Sequence, residues 1–216
     1  VIQPGDSLTI EPGVRIFFDG AYRLDVFGAL FAVGEDQNRI IFSREGDTYW
    51  MSINFSDDAD DNSRLEYCDI EYASGSGYEP YLGAVNCNGS SSSIKYNNIS
   101  NCSNNGIYIS NEAKPVIQNN NLIDINSNGI YSDGSSPEIL DNNISSIGGT
   151  AGVYLTQSDS AIVVNNTITN NNSYGIYIKQ NCYNTDITNN IISNNSSGGV
   201  YIREYNDNVD IKNNSI

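Results

Sequence analysis

Five tyrosines recur at a near-constant interval along this chain: Tyr108, Tyr131, Tyr154, Tyr177 and Tyr201. Each lies in a short apolar burst such as Ile107–Ile109, where side chains of an extended strand alternate between opposite faces. The aliphatic pair then turns to a core and the tyrosine turns outward. Asn54 and Val85 occupy the same place in two earlier bursts. An outward row of phenols offers aromatic faces to sugar rings through apolar contact and CH–π attraction, and an extended row suits a polymer. The competing reading is structural: stacked tyrosines strengthen a sheet by side-chain pairing.

Two positions beyond each tyrosine runs a second outward row: Ser110, Asp133, Thr156, Lys179 and Arg203. Lys179 and Arg203 are expected on adjacent coils, about 5 Å apart in backbone spacing. Such a pair could hold a uronate or sulfate group; the alternative is a solvated edge with Arg203 paired to Glu204. Asp133, Lys179 and Arg203, with Tyr177, form the one conceivable lyase-like set. Paired carboxylates at glycosidase spacing are not visible. The run Asp57, Asp58, Asp60 and Asp61 could hold calcium, which takes about six to eight oxygens. It lacks the glycine and final glutamate of an EF-hand, and a solvated acidic loop explains it equally. Cys68, Cys87, Cys102 and Cys182 show no metal spacing. Cys68 falls where an asparagine recurs and reads as a buried thiol, Cys87 falls in the outward row, and a Cys87–Cys102 bridge is open but unforced.

Composition narrows the chemistry further. With 216 residues and no histidine, the chain lacks the usual general base, zinc ligand and catalytic-triad member. A net charge of −16 argues against nucleic acid, whose phosphates need a clustered basic surface, and against anionic membranes. No apolar run approaches the roughly 18 residues of a membrane span. The 33 asparagines would suit a disordered chain, but 38% hydrophobic content and 15 tyrosines do not.

What must position these rows is an internal repeat. GAVN, GIYI, GIYS, GVYL, GIYI and GVYI begin at Gly83, Gly106, Gly129, Gly152, Gly175 and Gly199, at intervals of 23 or 24 residues. Asparagine pairs beginning at Asn97, Asn120, Asn142, Asn165, Asn189 and Asn213 run in phase with them. Each repeat holds three strand-like bursts, for example Ile107–Ile109, Val116–Gln118 and Leu122–Ile125, separated by turn residues. That is too short for four propeller strands and lacks the leucine spacing of a leucine-rich repeat. Three strands and three turns describe one coil of a parallel β-helix. The asparagines suit its tight turns and, stacked in register, an amide ladder. Sequons such as Asn88, Asn98 and Asn143 follow from that composition.

Earlier segments fit with more degeneracy: Leu8–Ile10, Val14–Phe18, Leu24–Val26, Leu30–Ala32, Ile40–Phe42, Ile53–Phe55, Leu65–Tyr67 and Ile70–Tyr72. One domain spans 1–216, with degenerate coils over 1–82, a loop insertion at 74–82, and regular repeats over 83–216. The chain stops in mid-coil, which points to a segment of a longer protein with flanking domains. PGDSLTIEPGVRIFFDG, LDVFGALFAVG, RIIFSREGDTYWMSINF and SRLEYCDIEYA resemble the opening coils of right-handed parallel β-helix proteins of the pectate-lyase-like superfamily. Ser52 departs from the glycine usual there. The resemblance implies an all-β, single-stranded right-handed parallel β-helix of about eight coils, a secreted or surface location, and polysaccharide as partner. It also implies what catalysis would need: three aspartates on neighbouring coils for a hydrolase, or calcium-holding acids with a basic residue for a lyase. Only Asp133 stands near the middle, with Asp25 distant. The readings are therefore an extracellular glycan-contacting module that requires no cofactor, a polysaccharide lyase or glycoside hydrolase, or a structural spacer. Copper handling, known among proteins with similar repeats, is disfavoured here by the absence of histidine and the single methionine.

Overall fold

A computed structural model describes residues 1–75 and 82–216. Three parallel sheets of nine, eight and eight strands wrap one core, and the chain visits them in strict rotation. We call them sheets 1, 2 and 3. One coil runs Asn105–Ser110 in sheet 3, Val116–Gln118 in sheet 1 and Asn121–Ile125 in sheet 2. About eight coils stacked at about 4.8 Å give a rod roughly 40 Å long. The sheets continue across the composition boundary: Ile53–Phe55 pairs with Gly83–Asn88, and Arg64–Glu66 pairs with Ser93–Lys95. Most of the 74–82 insertion lies outside the described residues.

The early bursts form strands as expected, including Ser7–Ile10, Arg15–Phe18, Ala29–Val33 and Ile40–Arg44. The inward rows form one apolar cluster, dominated in the regular coils by isoleucine and valine. These β-branched side chains suit a pleated, half-buried surface. Trp50 is fully buried, stacked on Phe18 at 4.5 Å, and its indole nitrogen donates to the Glu71 carbonyl at 2.7 Å.

The glycine that opens each GIY burst answers a steric demand. A Cβ on Gly129 would sit 2.6 Å from the Gly152 carbonyl oxygen and 2.8 Å from an Ile144 methyl. Glycine lets the regular coils from Gly106 onward approach this closely at that corner.

Left-handed residues recur from coil to coil at the corners between sheets. Between sheets 1 and 2 these are Tyr67, Tyr96, Asn119, Asp141, Asn165, Asn189 and Asn213, with φ of 51–60°. The residue after each then turns its side chain inward. Asn97, Asn120, Asn142, Asn166, Asn190 and Asn214 form a continuous amide ladder. Asn120 shows the pattern. Its amide nitrogen donates to Ile94 O at 2.9 Å and Asn142 Oδ1 at 3.0 Å, while its Oδ1 accepts from the backbone and side chain of Asn97. The ladder therefore uses the first asparagine of the pair in three coils and the second in the next three. Cys68 takes the ladder place one coil earlier and donates its N–H to Asn97 Oδ1 at 2.9 Å.

Candidate functional site

The register of sheet 3 fixes the outward row. Asp25, Asn54, Asn86, Tyr108, Tyr131, Tyr154, Tyr177 and Tyr201 align coil by coil. Asn86, not Val85, precedes Tyr108. Gly83 pairs with Asn105, so the interval there is 22 residues, and Ala84 takes the place that glycine holds in later coils. The same shift puts Cys87 opposite Ile109, in the core rather than the outward row.

The tyrosines come together as a ladder, but not as a flat platform. Tyr108 meets Tyr131 edge-on at 5.2 Å and Tyr131 meets Tyr154 edge-on at 4.8 Å. Tyr154 and Tyr177 stack at 4.9 Å, and Tyr177 tilts against Tyr201. Tyr174, which the repeat did not single out, stacks on Tyr201 at 4.8 Å. Coil spacing nearly equals ring-stacking distance, so each ring covers its neighbour. Tyr108 is left 1% exposed and Tyr177 8%, whereas Tyr131 and Tyr154 are half-buried and Tyr201 is 39% exposed. Within the row, appreciable exposed surface is thereby confined to Tyr131, Tyr154 and Tyr201.

Where sheet 3 strands end, a shallow depression of about 450 Å³ opens, lined by Asn88, Tyr108, Ser110, Glu112, Asp133 and Gln157 among others. It spans four coils, about 14 Å along the rod at three coil steps. The Asn88 amide oxygen accepts from the Ser110 hydroxyl at 3.4 Å. A second depression, lined by Lys114, Ser135, Ser136 and Asp159, shares Glu112, Gly134 and Gln157 with the first. Sequence reasoning found Asp133 but missed Glu112. That residue follows its strand in a left-handed turn and has no acidic counterpart in the repeat to draw attention to it.

Lys179 and Arg203 do occupy adjacent coils, with Arg203 N–H bonded to Ile178 O. They stand two and three coils from Asp133, about 10 and 14 Å along the axis, so the three do not close on one substrate bond. Arg203 is ion-paired to Glu204 at 3.0 Å. The Tyr177 side chain and then the Glu204 charge hold its guanidinium above its ordinary pKa. Burial, then Tyr177 and the Asp133 charge, raise the Tyr154 hydroxyl above its usual value. Asp133 therefore acts electrostatically on the tyrosine row as well as lining the depression.

The acidic run does not converge. Asp60 accepts from the backbone and side-chain nitrogens of Asn62, both at 2.8 Å, and the backbone bond is the main cause of its lowered pKa. Asp61 turns to the Ser91 N–H at 2.7 Å. Among the described residues no group of three acidic or thiol side chains could hold a metal ion. All four cysteines are free and buried, and the Cys87–Cys102 bridge is not formed. On another corner, Tyr49 and Tyr72 meet edge-on at 6.2 Å with the Arg44 guanidinium over both rings.

No curated protein matches the chain significantly. Two solved structures are similar to it at low identity. One is the enzymatically active domain of bacteriophage CBA120 tailspike protein 2, at 12% identity and TM-score 0.48, with 90% of this chain covering 39% of that one. The other is full-length tailspike protein 2 from Escherichia coli O157:H7 bacteriophage CAB120, at 11% identity and TM-score 0.49, covering 90% and 35%. This chain thus spans under two-fifths of either. Residues 83–216 match the family described as right handed beta helix region, which is well over half of the chain. With three parallel sheets visited in rotation over stacked coils, the chain belongs to that right-handed β-helix family.

Proposed function

We propose that this chain is an extracellular or cell-surface module that contacts a carbohydrate polymer along the outward face of sheet 3. The observation that carries the reading is a tyrosine ladder bordered by a polar depression about 14 Å long. Tyr131, Tyr154 and Tyr201 present ring area for sugar faces, while Asn88, Ser110, Glu112, Asp133 and Gln157 supply hydrogen-bonding partners for hydroxyls. Neither an organic cofactor nor calcium is required by this reading. Binding to a glycan array tests it: the Tyr154→Ala, Tyr201→Ala double variant should bind at least about tenfold more weakly, or about 1.4 kcal/mol. Undiminished binding by that variant removes the tyrosine face from the reading, and a full-length protein with no glycan response is a structural spacer.

A second reading is glycoside hydrolysis, favoured by Glu112 and Asp133 lining one depression from adjacent coils. An acid and a base on either side of a glycosidic bond are what that reaction needs. The distance of Lys179 and Arg203 from Asp133 leaves the lyase variant without a converged set. Release of reducing ends that stops in Asp133→Asn supports hydrolysis, and unsaturated products overturn it.

A further inference from the structure

The depression at the end of sheet 3 carries a sign as well as a shape. Among its eight described lining residues are two carboxylates, Glu112 and Asp133, and no lysine or arginine. The rest are a tyrosine, a serine, a glycine and three amides. The adjoining depression is lined by Lys114 together with Glu112 and Asp159, one cation against two carboxylates, which leaves that stretch negative as well. The cations that could favour an acidic sugar lie elsewhere: Lys179 is two coils beyond Asp133, and Arg203 is already ion-paired with Glu204. The whole chain carries −16.

We infer that the depression takes a hydroxyl-rich sugar without acidic groups, and that Glu112 and Asp133 exclude uronate and sulfated polymers. This rests on the glycan-contacting reading above and names its substrate class. Ionised carboxylates only accept hydrogen bonds, and adjacent sugar hydroxyls donate them. Asn88, Asn111 and Gln157 both donate and accept, so they can meet ring and hydroxyl oxygens. An acidic sugar in the same place brings a charge toward two like charges. Two unit repulsions across about 6 Å of water weaken its binding roughly tenfold, and salt shrinks that penalty. Tyr108, almost wholly buried, forms part of the floor and is not the recognition element.

The experiment compares the chain with the Glu112→Gln, Asp133→Asn double variant on three sets of oligosaccharides of matched length: neutral, free-amine-bearing and uronate-bearing. The parent chain should bind neutral or amine-bearing sugars at least about tenfold more tightly than uronates at low salt, and the gap should narrow at high salt. The double variant should lose most of that preference while keeping the parent melting temperature. Uronate binding equal to or tighter than neutral binding overturns the inference but leaves the glycan reading standing. So does a preference that the double variant leaves unchanged. No binding in any set by folded protein overturns the glycan reading and this inference together.

Discussion

Replacing Asn142 with alanine should be among the costliest single changes in the chain. The Asn142 Oδ1 accepts the Asn120 backbone N–H at 2.9 Å and an Asn120 side-chain N–H at 3.0 Å. Its own amide nitrogen donates to Ile117 O at 2.9 Å and to Asn166 Oδ1 at 3.0 Å. Asn166 keeps the Asn142 backbone donor after the change, but two buried donors of Asn120 lose their acceptor. Each such orphan costs about 1–3 kcal/mol, so the loss should be about 2–6 kcal/mol. With a urea m-value of about 3 kcal/mol/M, the midpoint should fall by about 0.7–2 M. Urea titration followed by circular dichroism reads this, with Asn143→Ala as the control. Asn143 is the next residue, exposed, and its amide only reaches Asn121 Oδ1 at the surface. That control should stay within about 0.5 kcal/mol. Amide hydrogen exchange should also quicken at Asn120. Equal effects from the two variants, or a loss under about 0.5 kcal/mol for Asn142→Ala, would refute the assignment of this ladder as the main polar tie between coils.

Other outcomes follow from packing and charge. Gly129→Ala should lower stability by about 2 kcal/mol or more through overpacking, while Gly134→Ala, with open space around it and φ of +62°, should cost about 1 kcal/mol from backbone strain alone; thermal melts separate the two. Burial pushes Cys87 and Cys102 up to about 12 and raises Cys68 and Cys182 as well. Since folding raises these pKa values, the stability they contribute is complete below the thiol value of the unfolded chain, about 8.5, and is lost as pH rises toward about 12. A thiol reagent at pH 8 should leave the folded chain unlabelled and modify all four cysteines only in denaturant; rapid labelling of the native chain would contradict their burial. Arg44→Ala removes a guanidinium 4.3 Å from the Tyr72 ring centre and 4.9 Å from that of Tyr49. It should cost about 1–2 kcal/mol for the two contacts, read as a shift in urea midpoint.

The fold was legible because the repeat is written twice, once in GIY and once in the asparagines. Strand alternation then assigned the aliphatic residues of the regular coils to the core, with Val85 misplaced outward. What escaped was set by contacts between coils rather than within one. The 22-residue interval that moves Cys87 inward looks like an ordinary glycine match at Gly83 until strand pairing is known. Which asparagine of each pair turns inward depends on the left-handed residue before it, and Tyr96 and Asp141 fill that role as well as Asn119 does. Tyrosine exposure was illegible for a similar reason, since rings spaced by one coil cover one another. Glu112 was overlooked because a single acid in a turn carries no periodic signal.

The direction of the sheet hydrogen bonds also decides how this rod meets mechanical load. They run along its axis, while the covalent chain winds around it. Tension applied between the two ends of the rod therefore pulls interstrand bonds open like a zip and does not shear many at once. Coils should peel from an end one at a time, each releasing about 23 residues, or about 80 Å of chain at roughly 3.5 Å per residue. The amide ladder ties each coil to the next across the same opening plane, so every released coil must also break an asparagine link. A module built this way yields in small repeated steps, lengthening under tension while the remaining coils stay folded.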